Sequence, residues 1–208
     1  MPKELAMEVR STFRQWISGS ALAEIVQGLS LFADEFFKIA VYIAHNRKKI
    51  TQSAMDRIEK FSNDTNLASK FKLIEDECGI KNGFIVHADG WARARNAHAH
   101  NRGIIRERDC NHNAGNLTIS WRQFEVLIDD QRIENIIGHF VEKGASLGIR
   151  LGDGRKEFTI GSPIDFTEQE IVNLCLTTHV YSGQMVSELQ KRLLDDIGQI
   201  STNSPPSS

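Results

Sequence analysis

Cysteine is scarce in this chain: Cys78, Cys110 and Cys175 are the only three, and no two of them form a Cys-x-x-Cys pair. That is too sparse for a disulfide framework and favours a reducing compartment. A charge excess is also lacking. With 25 basic and 27 acidic side chains the formal charge is −2, so the whole-chain charge singles out no nucleic acid, membrane or acidic partner. The N-terminal Met-Pro-Lys-Glu-Leu-Ala has no signal-peptide apolar run. The longest greasy stretch, Phe36 to Ala44, is interrupted by Lys38 and is far short of a membrane span. Most catalytic signatures are missing too: no phosphate-loop glycine motif, no His-Glu-x-x-His, no EF-hand loop, no Gly-x-Ser-x-Gly. Gly152-Asp-Gly154 begins a dinucleotide pattern, but Glu157 stands where the third glycine belongs.

What is present reads as one ordinary domain. The 208 residues are 40% apolar and 25% charged, enough to bury a core. The expectation is a soluble, cytoplasmic domain over 1–200 and a disordered tail over 201–208, Ser-Thr-Asn-Ser-Pro-Pro-Ser-Ser.

Apolar spacing predicts a mainly α fold. Leu5, Val9, Phe13, Trp16 and Ile17 recur at helical period, and Gly19-Ser20 interrupts them. Ser20 then caps a second helix from Ala21 to about Arg47, ~40 Å long, as the spine of a bundle. Shorter helices follow: one capped by Thr51 or Ser53, one from Leu67 to Cys78-Gly79, and one from Phe84 to about His100, with Gly90 as a local weakness and Gly103 as its stop. Leu117–Ser120 and Phe124–Ile128 read as short strands, with a helix after Ser120 as the competitor, and Ile133, Ile136, Ile137, Phe140 and Val141 as a further helix. Leu147–Leu151 and Arg155–Ile160 flank Gly152-Asp-Gly154, which predicts a small β hairpin over 147–160. Thr167-Glu-Gln-Glu170 is a capping box that opens the last long helix.

One segment departs from this background. Between positions 93 and 108, Arg93, Arg95, Arg102, Arg106 and Arg108 face a single acid, Glu107, with His98 and His100 among them. Guanidinium groups give planar, bidentate donors to phosphate oxygens, and histidine moves protons near neutral pH. The competing chemistry is zinc bound by His98, His100, Cys110 and His112; on a helix His98 and His100 point ~200° apart and could not share an ion. His45, His87, His139 and His179, Cys78 and Cys175, and Trp16, Trp91 and Trp121 all read as structural or packing residues.

The order Arg95-Asn96-Ala-His98-Ala-His100-Asn101-Arg102-Gly103 resembles the signature of the HEPN superfamily, in which an arginine, a polar neighbour and a short spacer precede a histidine. The resemblance implies a HEPN-like helical bundle, with the 147–160 hairpin as an insertion before the last helix. It also implies a metal-independent endoribonuclease without cofactor. Such enzymes are homodimeric and are often toxins or effectors of prokaryotic defence, with a defence-system or antitoxin protein as partner. Carried over, Arg95 would hold the scissile phosphate, His100 would act as general acid or base, and Asn96 would bind phosphate or orient His100. Arg93, His98, Asn101, Arg102 and Arg106 would bind RNA phosphates. Arg93 also stands at usable spacing from His98 and from His100. Arg95 and His100 would lie ~140° apart on a straight helix, so their convergence calls for a helix end or a second chain. The alternative is a noncatalytic HEPN-like module binding RNA, a nucleotide or a partner protein.

Overall fold

The computed structural model describes residues 3–44, 51–64, 66–111, 115–133, 141 and 144–202. Of the helix expected over Ile133, Ile136, Ile137, Phe140 and Val141, positions 136, 137 and 140 lie outside them and Ile133 ends a strand instead; His45, His112, His139 and the tail from Asn203 lie outside as well. The described chain is mainly helical. Helices α1 (Lys3–Ala44), α2 (Gln52–Ser62), α3 (Leu67–Cys78) and α4 (Ile85–Asn101) precede β1 (Asn116–Ile128), β2 (Gln131–Ile133) and β3 (Leu147–Thr159), and α5 (Glu168–Thr202) closes the fold. The strands form one antiparallel sheet in the order β2-β1-β3.

Capping chemistry sets several boundaries as expected. The Thr51 side chain accepts from the Ala54 amide at the start of α2, and α3 ends on Gly79 at φ 64. Thr167 Oγ1 accepts from the Glu170 amide while Glu170 Oε2 accepts from the Thr167 amide, the reciprocal pair that starts α5. That helix runs on to Thr202, so Ser201 and Thr202 belong to it rather than to a tail.

Two expectations are corrected. Gly19-Ser20 does not break α1, which is continuous over 42 residues. A mid-helix glycine costs ~1 kcal/mol relative to alanine, but Gly19 lies against the His98 ring, closely enough that a Cβ there would collide with it. Close packing onto α4 therefore keeps the glycine inside the helix. The hairpin over 147–160 is likewise absent: Leu147–Thr159 is a single strand, paired along its whole length with β1 from Leu147↔Ile128 to Thr159↔Asn116. Gly152 and Gly154 are not turn residues. A Cβ on either would strike Glu125 or Trp121 of β1, so the glycines leave room for large side chains across the strand pair.

The core joins both halves of the chain. Phe37 of α1 stacks on Phe61 of α2 with ring centroids 4.1 Å apart, and Phe84 meets Trp91 edge to face at 5.4 Å. Trp91 is fully buried and its Nε1 donates to the Ser120 carbonyl of β1 at 2.9 Å. By length and composition α1 could cross a membrane, yet Leu22, Leu29, Ala33, Phe36 and Phe37 carry its second half into this protein core. Its first part is bare: Leu5, Val9, Phe13, Trp16 and Ile17 are all exposed.

Gly90, a nominal weakness in α4, is where the helix touches the sheet. A Cβ there would stand 2.5 Å from the Thr118 carbonyl oxygen of β1. Gly90→Ala is therefore expected to destabilise the protein by about 1–3 kcal/mol, the usual cost of overpacking, despite the better helix propensity of alanine. Gly28→Ala is the control. Nothing lies within 4 Å of the position its Cβ would take, so it should stabilise by up to ~1 kcal/mol. Urea unfolding of both variants decides it; a stabilised Gly90→Ala would show that helix and sheet are not in contact.

Candidate functional site

Helix α4 organises the basic segment. His87, Ala88, Trp91, Ala94, Ala97 and Asn101 form its buried stripe, while Arg95, Asn96, Ala99 and His100 face solvent near its C-terminal end. The helix stops where Arg102 and Gly103 adopt φ of 54° and 76°, and the Gly103 amide returns to the Ala97 carbonyl at 3.0 Å.

An acid that sequence reading passed over locks this end. Asp109 is 5% exposed; its Oδ2 accepts from Asn101 Nδ2 at 3.0 Å and from the Arg106 amide at 2.9 Å. Arg108 Nη2 donates to Asn101 Oδ1 at 3.0 Å. Asn101 is thus buried with both amide atoms engaged, a clamp rather than a free phosphate donor. Arg93 is similarly committed: its Nε pairs with Asp89 at 2.8 Å and its Nη1 donates to the Cys110 carbonyl at 3.1 Å. Arg106 remains exposed. Its bond to the Arg106 amide is local, but only the folded-back chain brings position 109 under position 101.

The exposed end of α4 divides two depressions. One, of about 420 Å³, gathers Arg93, Asn96, His100 and Arg108 with Asp89 and Asp109. The other, of about 540 Å³, lies between α4 and α1 and takes Arg95, His98 and Arg102 with Gln15, Trp16 and Gly19. Helix angles explain the division: positions 93 and 100, seven apart, align within ~20°, whereas 95 and 100 diverge by ~140°. Within one chain His100 therefore shares its depression with Asn96 and Arg93, and Arg95 sits with His98. Arg95 still touches the first group, since its Nη1 donates to Asn96 Oδ1 at 3.2 Å. His98 and His100 line different depressions, and among the described residues no group of three His, Cys, Asp or Glu is placed to hold a metal.

Other expectations change as well. Trp16 is 64% exposed rather than packed, and Cys175 is exposed rather than in the core, as is His179. His87 is buried, but in a polar cluster: its Nδ1 lies 2.7 Å from Ser120 Oγ and its Nε2 lies 3.4 Å from the Tyr181 hydroxyl. Burial pushes the pKa of His87 below its ordinary 6.5, and burial alone lowers that of His98.

A histidine whose pKa is depressed in the folded state binds its proton more readily when unfolded, so stability is lost as pH falls below the unfolded value of ~6.5. The melting temperature is expected to drop between about pH 7.5 and about pH 5.5, and His87→Asn should flatten that slope whatever its effect on absolute stability. An unchanged slope in the variant would assign the dependence to other groups.

Comparison with protein-family models, with curated proteins and with solved structures gives no match.

Proposed function

We propose that this chain is a metal-independent endoribonuclease of the HEPN type, working as a cytoplasmic homodimer in which the exposed ends of two α4 helices meet. One observation carries the reading. Of the basic segment, Arg93 and Asn101 are tied into the fold, while Arg95, Asn96 and His100 are all left exposed, and neither Arg95 nor His100 pairs with an acid among the described residues. In this reading Arg95 neutralises the scissile phosphate, Asn96 orients it, and His100 transfers the proton. The ribose 2′-oxygen attacks phosphorus, the bond to the 5′-oxygen breaks, and the products are a 2′,3′-cyclic phosphate and a free 5′-hydroxyl. No metal-activated water is required. A role as a toxin or effector of a prokaryotic defence system, with an antitoxin or other defence protein as partner, belongs to the same proposal.

The separation of Arg95 and His100 into two depressions favours one alternative for an isolated chain. A single copy presents a phosphate-binding face rather than a complete site, as a noncatalytic RNA-binding module would.

The test is cleavage of unstructured RNA in excess EDTA. The expected products carry 2′,3′-cyclic phosphate ends, and light scattering at micromolar protein should give a dimer. RNA bound but never cut would favour the module, and cutting that depends on added zinc would overturn the mechanism.

A further inference from the structure

The cavity between α1 and α4 has a chemistry that the cleavage reading uses only at Arg95. Its volume is about 540 Å³, within the range of small-molecule sites. One wall is Trp16, an indole 64% exposed at the cavity mouth and backed by Phe13, whose ring centroid lies 6.0 Å away. In its depth is His98, set between Gly19 and Gly103; a Cβ on Gly103 would come within 2.9 Å of its ring, and one on Gly19 would overlap it. His98 Nε2 is buried and has no hydrogen-bond partner, a costly state for a polar atom that nothing satisfies. The rim carries Arg95 and Arg102; among the described residues neither forms an ion pair and no carboxylate lines the cavity. Gln15 holds the rim in place by donating to the Arg102 carbonyl at 3.0 Å.

A flat aromatic wall, an imidazole in the depth and two guanidinium groups without a carboxylate partner at the edge form an ordered set. They match the three parts of a nucleotide: a base face, a base edge and a phosphate. We propose that this cleft holds one nucleotide of the RNA strand, its base stacked on Trp16 with its edge toward the His98 imidazole and its phosphate between Arg95 and Arg102. The assignment rests on the RNA-cutting reading, and Arg95 links the two: it sits on the ridge between this cleft and the His100 depression. The nucleotide so held adjoins the scissile phosphate. His98 is then a specificity residue rather than a second catalytic histidine, which accounts for two histidines two positions apart.

Trp16 supplies its own probe, because Trp91 and Trp121 are 0% and 4% exposed and only Trp16 faces water. The protein used is the full chain carrying His100→Ala, so that RNA is bound without being cut. Adenosine monophosphate and a short oligoadenylate should each quench the long-wavelength tryptophan emission saturably. By anisotropy of a labelled oligonucleotide, Trp16→Ala should bind about tenfold more weakly, and Trp16→Phe should stay near the parent. His98→Phe should change the order of affinity among the four nucleoside monophosphates more than it changes oligonucleotide affinity. RNA bound equally by the parent and by Trp16→Ala, with no emission change, would overturn the cleft and leave the RNA-cutting reading standing. Quenching by mononucleotide in a protein that never cuts RNA would do the reverse. Emission that shifts with protein concentration, and not with added nucleotide, would show that a second copy of the chain covers Trp16.

Discussion

His100→Ala is expected to lower the rate of RNA cleavage by ~10²–10⁴-fold, the usual contribution of a positioned general acid or base, while leaving most of the RNA affinity intact. The separation follows from placement. His100 is exposed at the end of α4 and makes no hydrogen bond with a described residue, so its removal costs the fold nothing and deletes only a proton carrier. Arg95→Ala should lower cleavage and binding together, because a guanidinium holds the phosphate both before and during reaction. His98→Ala leaves the His100 depression untouched and should spare the chemical step. If His98→Ala removes cleavage and His100→Ala does not, the roles are reversed. The two depressions add a geometric test. Since Arg95 and His100 line different hollows of one chain, a composite site would take them from different subunits. A mixture of the two inactive variants should then regain part of the activity. Each chain acting with its own pair would leave the mixture inactive, and Arg93, which shares the His100 hollow, would be the arginine to replace next.

Asp34→Ala is expected to cost about 3–5 kcal/mol of stability, the largest single loss predicted for this fold. Lys70 is the buried cation of the helical core, its side chain 2% exposed. Its Nζ donates to Asp34 Oδ1 at 2.7 Å and to Ser30 Oγ at 3.1 Å, and lies 5.7 Å from the centre of the Phe61 ring. Removing the carboxylate leaves a charge in a site that water does not reach, with one hydroxyl and one ring as company. The pair itself is not the source of stability, because burying two charges costs about as much as their attraction returns. Replacing both together, Asp34→Leu with Lys70→Met, should therefore recover most of the loss. Urea unfolding checks both; a single variant less than about 1 kcal/mol below the parent would mean that Lys70 is solvated.

The sequence by itself determined the helices and their ends where the cause was local. Thr51, Gly79 and the Thr167–Glu170 box lie beside the backbone they act on, so their effect is legible within a few residues. The exposed Arg95, Asn96 and His100 were legible for the same reason: their spacing already placed them on α4 and already set Arg95 and His100 apart. Tertiary structure decided whatever depended on distant partners. Gly19 and Gly90 carry a local signal for a break, but each is held in its helix by an element remote in sequence, His98 for one and β1 for the other. Gly152-Asp-Gly154 carries a local signal for a turn, yet Trp121 and Glu125 opposite occupy the space that the glycines leave, and the strand runs straight through. The same holds for the site. That Asn101 is clamped by Asp109, that Trp16 stands open and that His98 lies under α1 are facts of which surfaces meet, and a one-dimensional pattern states only which residues are able to.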